Sequence, residues 1–222
     1  MSKMRDWVVA HLHRVFLGCV VVVIVGIPVA GGWAADAHAA TPASISVRDL
    51  QKRLAELKFL ALSQVDGKLG PRTRDAITAF QQSHGLAPDG IAGPQTLGKL
   101  RTAGVPRHGT NGPPRRIEIH RAKGVTLLVE NGSVKRVIHS SAGKRGHETP
   151  VGSYRIQRKL LRDWSRPYKT WMPYASYFHA GYALHEGVVP TYPASHGCVR
   201  VPSWDAAEVY RFATVGTTVV VF

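Results

Sequence analysis

The feature that most restricts how this chain can fold is an internal repeat. Asp66-Gly67-Lys68-Leu69-Gly70-Pro71-Arg72-Thr73 returns 23 residues later as Asp89-Gly90-Ile91-Ala92-Gly93-Pro94-Gln95-Thr96, and both copies read D-G-x-x-G-P-x-T. Asp-Gly favours a tight turn, and proline at the first helical position loses nothing because that N–H has no partner in a helix. Each copy is therefore expected to launch a helix. Ala76, Ile77 and Phe80 face inward from the first, and Leu97 and Leu100 from the second. Upstream, Val47, Leu50, Leu54 and Leu57 recur at intervals of three and four, the spacing of one apolar helix face. Ser46 and Asp49 are placed to cap its start. Residues 44–101 thus read as a small all-α module of three helices.

The pattern then breaks. Residues 102–116 hold Gly104, Pro106, Gly109, Gly112, Pro113 and Pro114, the composition of a linker. From 117 to 222 the apolar period becomes two. Val125, Leu127 and Val129 lead through Asn131-Gly132 to Val134, Val137 and Ile138, and Asn-Gly between alternating runs signals a β-hairpin. Further strands are expected at Gly152–Arg158, Gly181–His185 and Thr217–Phe222. A helix over Trp204–Phe212 would take Ser203 as its N-cap. The fold class is two domains, an all-α module followed by a mainly β domain with one or two short helices. The second is long enough to bury its own core.

The chain has 222 residues, with 29 Lys+Arg against 14 Asp+Glu and a formal charge of +15. Such an excess favours polyanionic surfaces such as nucleic acid, acidic lipid or acidic cell-wall polymers. The basic residues are spread along the chain and match no nucleic-acid module, which argues against nucleic acid. Lys3, Arg5 and Arg14 precede an apolar run from Val15 to Ala30, followed by Ala37-His38-Ala39. This is the order of a secretory signal over residues 1–39; an uncleaved membrane anchor is the rival. Cleavage would remove Cys19 and leave Cys198 without a partner, which flags a reactive thiol. The location expected is secreted, periplasmic or cell wall.

Cys198 lies in Ser195-His196-Gly197-Cys198-Val199-Arg200, with His185 thirteen residues upstream at the end of an expected strand. Cysteine catalysis of acyl transfer needs a thiolate, a base to form it, and donors for the oxyanion. His185 can serve as the base if the loop containing Gly187, Pro190 and Pro193 folds back. Gly197 permits an unusual backbone angle before the nucleophile. The amides of His196, Gly197 and Cys198 are candidates for an oxyanion hole. Two other readings stand beside this one. His185, His196 and Cys198 are also residue types that hold a catalytic zinc, although no CxxC or HExxH accompanies them. A buried, inert thiol is the third reading. A papain-like order would place the cysteine before its histidine, the reverse of what is found.

Several separated motifs resemble known families. Leu50-Gln51-x-x-Leu54, the two D-G-x-x-G-P-x-T turns and Ala79-Phe80-Gln81-x-x-x-Gly85-Leu86 resemble the peptidoglycan-binding domain type 1 family, which implies a non-catalytic module for wall targeting. Leu184-His185, Ser195–Arg200, Thr149-Pro150-x-Gly152-x-Tyr154, the Phe178–Leu184 approach and Val215-Gly216-Thr217-x-Val219 resemble the YkuD family of L,D-transpeptidase catalytic domains, whose fold is a β-sandwich. That resemblance implies Cys198 as nucleophile and His185 as general base, with the Glu186 carbonyl orienting the ring. It implies Ser195, His196 and Gly197 as shaping the pocket, and Arg200 and Gly181 as contacting substrate, with no metal and no cofactor. The implied partners are peptidoglycan stem peptides as donor and acceptor, with carbapenems as inhibitors. The family usually has glycine where this chain has Glu186, and a longer loop before Ser195. Three functions follow as expectations. They are cross-linking transfer through a thioester with release of D-alanine, hydrolysis of the same bond as an L,D-carboxypeptidase, and wall binding without catalysis. Arg162, Trp164, Arg166, Tyr168 and Trp171 form either a lid or ordinary surface.

Overall fold

The computed structural model describes residues 45–222; the expected signal or anchor at 1–39 lies outside them. Three helices form first: α1 (Val47–Glu56), α2 (Pro71–Ser83) and α3 (Pro94–Thr102). Ser46 caps α1 by accepting from the Asp49 N–H, and Pro71 and Pro94 each open their helix as the repeat implies. The repeat has a physical basis beyond turn chemistry. The buried Gln51 Nε2 donates to Asp66 Oδ1, the Lys68 carbonyl and Thr73 Oγ1, while its Oε1 accepts from the Gly67 N–H. Gln81 repeats the arrangement with Asp89, the Ile91 carbonyl, Thr96 and the Gly90 N–H. Asp, Gly and Thr of each copy thus enclose one buried amide, whose two N–H donors are shared among three acceptors and whose oxygen accepts one N–H.

Nine strands follow in two sheets. The first sheet has the order β3-β2-β1-β9-β4, from β1 (Arg115–His120), β2 (Val125–Glu130), β3 (Ser133–His139), β4 (Gly152–Arg155) and β9 (Thr218–Val221). The second has the order β5-β6-β7-β8, from β5 (Arg158–Ser165), β6 (Thr170–His179), β7 (Tyr182–Glu186) and β8 (Val199–Val201). The β1–β9 and β7–β8 pairs are parallel and the remaining pairs antiparallel. Asn131 and Gly132 take φ of 51° and 70° at the β2–β3 turn, as an Asn-Gly hairpin requires.

The sheets enclose a core of Ile117, Ile119, Leu128, Ile138, Phe178, Leu184, Val199, Val201, Val219 and Val221, closed by Ala206 and Val209 of α4 (Ser203–Phe212). The first sheet is covered on its other face as well. Val125, Leu127, Val129, Val134 and Val137 join Leu54, Leu57, Ile77 and Phe80 of the helical module in one continuous core. Polar ties reinforce the contact: Val137 N–H donates to the Lys58 carbonyl, and His139 Nδ1 lies 3.1 Å from Asp75 Oδ1. The β domain therefore shares a core with the module, although linker composition between them suggests independent parts.

Three local expectations are corrected. Pro202, with no side-chain hydrogen bond, is the N-cap of α4, and Ser203 is its first helical residue. The segment expected as one strand at Gly152–Arg158 divides into β4 and the start of β5, because Ile156 turns into the core between them. The expected linker contains the first two residues of β1, and its glycine-rich part is tied to that strand. Arg116 and Glu118, both buried, form an ion pair of 2.7 Å, and Glu118 Oε2 accepts from the Gly109 N–H at 2.6 Å.

Candidate active site

The site forms on the face of the second sheet that points away from the sandwich core. Alternation along β7 sends Leu184 into the core and leaves Ala183 and His185 on the opposite face. On β8, Val199 and Val201 go inward, and Arg200 stands beside His185 as its register partner. Cys198 precedes β8 and packs against Met172, Ala175, Tyr177 and Ala183. The parallel β7–β8 pair is thus what brings the thiol, the imidazole and the guanidinium together.

His185 is buried, and its Nδ1 lies 2.6 Å from the Glu186 carbonyl. A carbonyl only accepts, so Nδ1 carries the hydrogen and Nε2 is left with its lone pair. Burial pulls the His185 pKa down to about 4, with the Glu186 carbonyl opposing and Arg200 adding to the shift. Burial also raises the Cys198 thiol, against smaller opposing effects from the Ala183 N–H and the Arg200 charge. The resting pair is therefore a neutral thiol and a neutral imidazole. The thiol hydrogen points to the Gly181 carbonyl, with Sγ at 3.7 Å.

The loop carrying Cys198 is held by two hydroxyls used as bridges. Ser195 Oγ accepts from the Gly197 N–H at 3.0 Å and donates to the Cys198 carbonyl. Thr149 Oγ1 accepts from the Gly143 N–H at 3.0 Å and donates to the Gly197 carbonyl at 2.7 Å. Gly197 has φ of 124°, and a Cβ there would lie 2.4 Å from Tyr182 Cε1, so both backbone and space require glycine. This corrects one expectation: the Gly197 amide is consumed by Ser195 and is not free for an oxyanion. Thr149 opens the Thr149-Pro150-x-Gly152-x-Tyr154 motif, and its hydroxyl bridge between Gly143 and Gly197 is the physical reason for a threonine there. Thr149→Val should leave a buried N–H and a buried carbonyl unpaired, costing roughly 2–4 kcal/mol and slowing acylation of Cys198. Thr149→Ser should restore both the melting temperature and the acylation rate.

Two cavities meet at the thiol. The larger, about 500 Å³, is bounded by Gly181, Tyr182, Tyr177 and the β5–β6 hairpin. The smaller, about 250 Å³, is bounded by His185, Ser195, Arg200 and Val188. Cys198, His196, Tyr168 and Met172 line both. The Arg162–Trp171 stretch is the outer part of a long hairpin whose tip overhangs the site, with Tyr168 stacked on His196 at 4.6 Å. Trp164, Arg166, Tyr168 and Trp171 of this stretch therefore line the two cavities. Gly181 has open space where a Cβ would stand, and the left-handed φ of 42° falls on Ala180. No protein neighbour demands glycine at 181, so any demand comes from what enters the larger cavity. Among the described residues, the Arg200 guanidinium is in no ion pair, and no group of three or more His, Cys, Asp or Glu is placed to hold a metal.

Residues 114–221 match the family described as the L,D-transpeptidase catalytic domain, YkuD, and residues 44–100 match a putative peptidoglycan binding domain. The crystal structure of an L,D-transpeptidase (residues 123–326) from Xylanimonas cellulosilytica is similar at a TM-score of 0.71 and 32% identity, over 81% of this chain and 94% of that one. This chain belongs to the L,D-transpeptidase YkuD family. An L,D-transpeptidase (Yku) from Stackebrandtia nassauensis is similar at a TM-score of 0.52 and 27% identity, over 79% of this chain and 90% of that one. The zinc D-Ala-D-Ala carboxypeptidase of Streptomyces albus G is 46% identical over 56 residues, 25% of this chain and 22% of that protein. This chain thus spans under a quarter of that curated relative.

Proposed function

We propose that the protein transfers acyl groups between peptidoglycan stem peptides, with Cys198 as nucleophile and His185 as base. The observation that carries this is a thiol open to two cavities, beside an imidazole whose Nδ1–H is tied to the Glu186 carbonyl. Cys198 Sγ attacks the carbonyl of the third stem residue as His185 Nε2 takes the thiol proton. With the Gly197 amide taken by Ser195, the His196 and Cys198 amides, which have no partner among the described residues, are the loop donors left for the oxyanion. The C–N bond breaks, the nitrogen of D-alanine receives the proton from His185, and a thioester remains. A side-chain amine of a second stem enters, loses a proton to His185, and attacks the thioester, returning the thiol. Because His185 lines the smaller cavity, the acceptor comes from that side. The larger cavity takes the donor.

The helical module would hold the enzyme at the wall, and residues 1–39 would export it. The +15 charge suits an acidic polymer. Carbapenems are expected to acylate the same thiol. Incubation with tetrapeptide stems should release D-alanine and yield a dimer by mass spectrometry. Tripeptide without dimer would instead assign hydrolysis, with water as acceptor. Absence of any D-alanine would leave the protein as a wall-binding one.

A further inference from the structure

A recess at the seam of the helical module and the β domain takes no part in acyl transfer. Its volume is about 630 Å³, and it is lined by Lys58, residues 105–108, Asn111 and the β2–β3 turn. Three of the lining residues are basic, Lys58, Arg107 and His108, and none is acidic. Among the described residues, none of the three is in an ion pair. His108 Nδ1 is buried and has no hydrogen-bond partner there. The recess is also remote from the thiol. It lies at the Ser133 end of β3, and β3 spans about 20 Å at the usual strand rise. The chain reaches the catalytic loop only past the other end, where Ser141 bridges to Arg200 and Gly143 to Ser195.

Both walls are fixed. The Gly109 N–H donates to Glu118, and Arg116 donates to the Thr110 carbonyl, so the segment carrying Arg107 and His108 is tied to β1. On the other side, Lys58 follows Leu57, the C-cap of α1, with φ of 71°. Its N–H donates to the Ala55 carbonyl and the Phe59 N–H to the Leu54 carbonyl, the two bonds that end a helix through a left-handed residue. Glycine is preferred at that position because a side chain there crowds its own backbone. Glycine would make the same turn at lower cost, so the fold does not account for a lysine here. A further cation for the recess does.

Three cations without a carboxylate favour an oxyanion, which accepts from several donors at once. We infer that this recess binds the phosphodiester groups of an anionic wall polymer, a polyol phosphate chain, and so ties the protein to a second wall component besides peptidoglycan. A recess admits a flexible chain, whereas a flat bilayer reaches only its rim. The inference rests on the wall location proposed above and not on the acyl-transfer step.

Binding of a fluorescent poly(glycerol phosphate) chain to the protein tests it, with Lys58→Gly, Arg107→Gln and Lys123→Gln compared. Lys123 is an exposed cation outside the recess, so its loss changes net charge alone. Lys58→Gly and Arg107→Gln should each raise Kd by about tenfold or more, the factor one charge-assisted hydrogen bond supplies. Lys123→Gln should change it less than about twofold, the scale of a screened surface charge. Lys58→Gly should at the same time keep or raise the melting temperature, which a lysine serving the fold would not allow. Inorganic phosphate should displace the chain at a lower ionic strength than chloride does. Alkylation of Cys198 by iodoacetamide should run at the same rate with the chain bound. No binding of the chain, equal weakening by Lys123→Gln, or slowed alkylation would overturn the inference. Tighter binding to phosphatidylglycerol vesicles than to the chain, lost in the same two variants, would assign the recess to lipid and overturn it as well. None of these results bears on D-alanine release, which tests acyl transfer separately.

Discussion

Cys198→Ala is expected to abolish the covalent adduct with tetrapeptide stems and with carbapenems, lowering D-alanine release by about 10⁴-fold or more. No other cysteine lies among the described residues, so nothing else there can form the thioester. His185→Gln should lower acylation by about 10²–10⁴-fold, the usual contribution of a positioned base. The pH dependence separates this site from one with a pre-formed thiolate–imidazolium pair. Burial raises the Cys198 thiol and lowers His185 to about 4, so both groups are neutral across the neutral range. Alkylation of Cys198 by iodoacetamide should then climb about tenfold per pH unit below the thiol pKa, because only the thiolate reacts. Acylation by a stem peptide should fall on the acid side only as His185 gains a proton near pH 4. Stability shifts with the same group. His185 titrates at about 4 in the folded protein and near 6.5 unfolded, so acidification through that window favours the unfolded chain. A flat alkylation rate from pH 5 to 8 would show an ion pair and sink the neutral-pair account.

Much of the architecture was legible because local chemistry and tertiary structure agree. The D-G-x-x-G-P-x-T turns, the Asn-Gly hairpin and the alternation of β2 each state a conformation that only one arrangement satisfies. What the repeat could not disclose is its purpose. Gln51 and Gln81 stand at different distances from their turns, so no fixed spacing marks them as the buried amides both copies enclose. The alternation of Val125, Leu127 and Val129 likewise displays only one of the two faces that β2 buries. In fact Leu128 enters the sandwich while Val125, Leu127 and Val129 meet the helical module. A strand buried on both faces looks like an alternating one whenever the second face carries few large apolar residues.

The site divides the same way. Cys198, His185 and Gly197 were legible because thiol, imidazole and a left-handed glycine are types that chemistry demands. Thr149 was not, since a threonine acts here only through neighbours, Gly143 and Gly197, that the fold brings to it from two loops. The oxyanion assignment erred for a related reason. Three consecutive amides were available in sequence, but a hydroxyl two residues before Gly197 had already claimed one.

The tie between β1 and residues 109–113, which lie between the two matched segments, gives the largest expected effect on stability. Arg116, Glu118 and His120 alternate on the face of β1 opposite Ile117 and Ile119, and Arg116 and Glu118 are 1% and 0% exposed. Arg116 also donates to the carbonyls of Thr110 and Pro113 at 2.5 and 3.0 Å, so the pair fastens residues 109–113 to the strand. Glu118→Gln keeps the shape but leaves a buried guanidinium without its counter-charge. Breaking such a pair costs about 3–5 kcal/mol, and at about 2–4 °C per kcal/mol for a protein of this size the melting temperature should drop roughly 6–20 °C at pH 7. Burial raises the Glu118 carboxyl, but hydrogen bonding from His120, Gly109 and Arg116 outweighs it and holds it at about 2. A carboxyl depressed in the folded state stabilises above its unfolded value, here 4.5, and that stabilisation is lost as pH falls through about 2. The gap between wild type and Glu118→Gln should therefore be full above pH 5 and close on acidification. Replacing Arg116 and Glu118 together by Met and Leu should recover part of the loss, since no charge is then left buried, but not the ties to Thr110 and Pro113. A melting temperature in Glu118→Gln within about 2 °C of wild type at pH 7 would mean that water or another group reaches Arg116, and that the pair does not hold this segment.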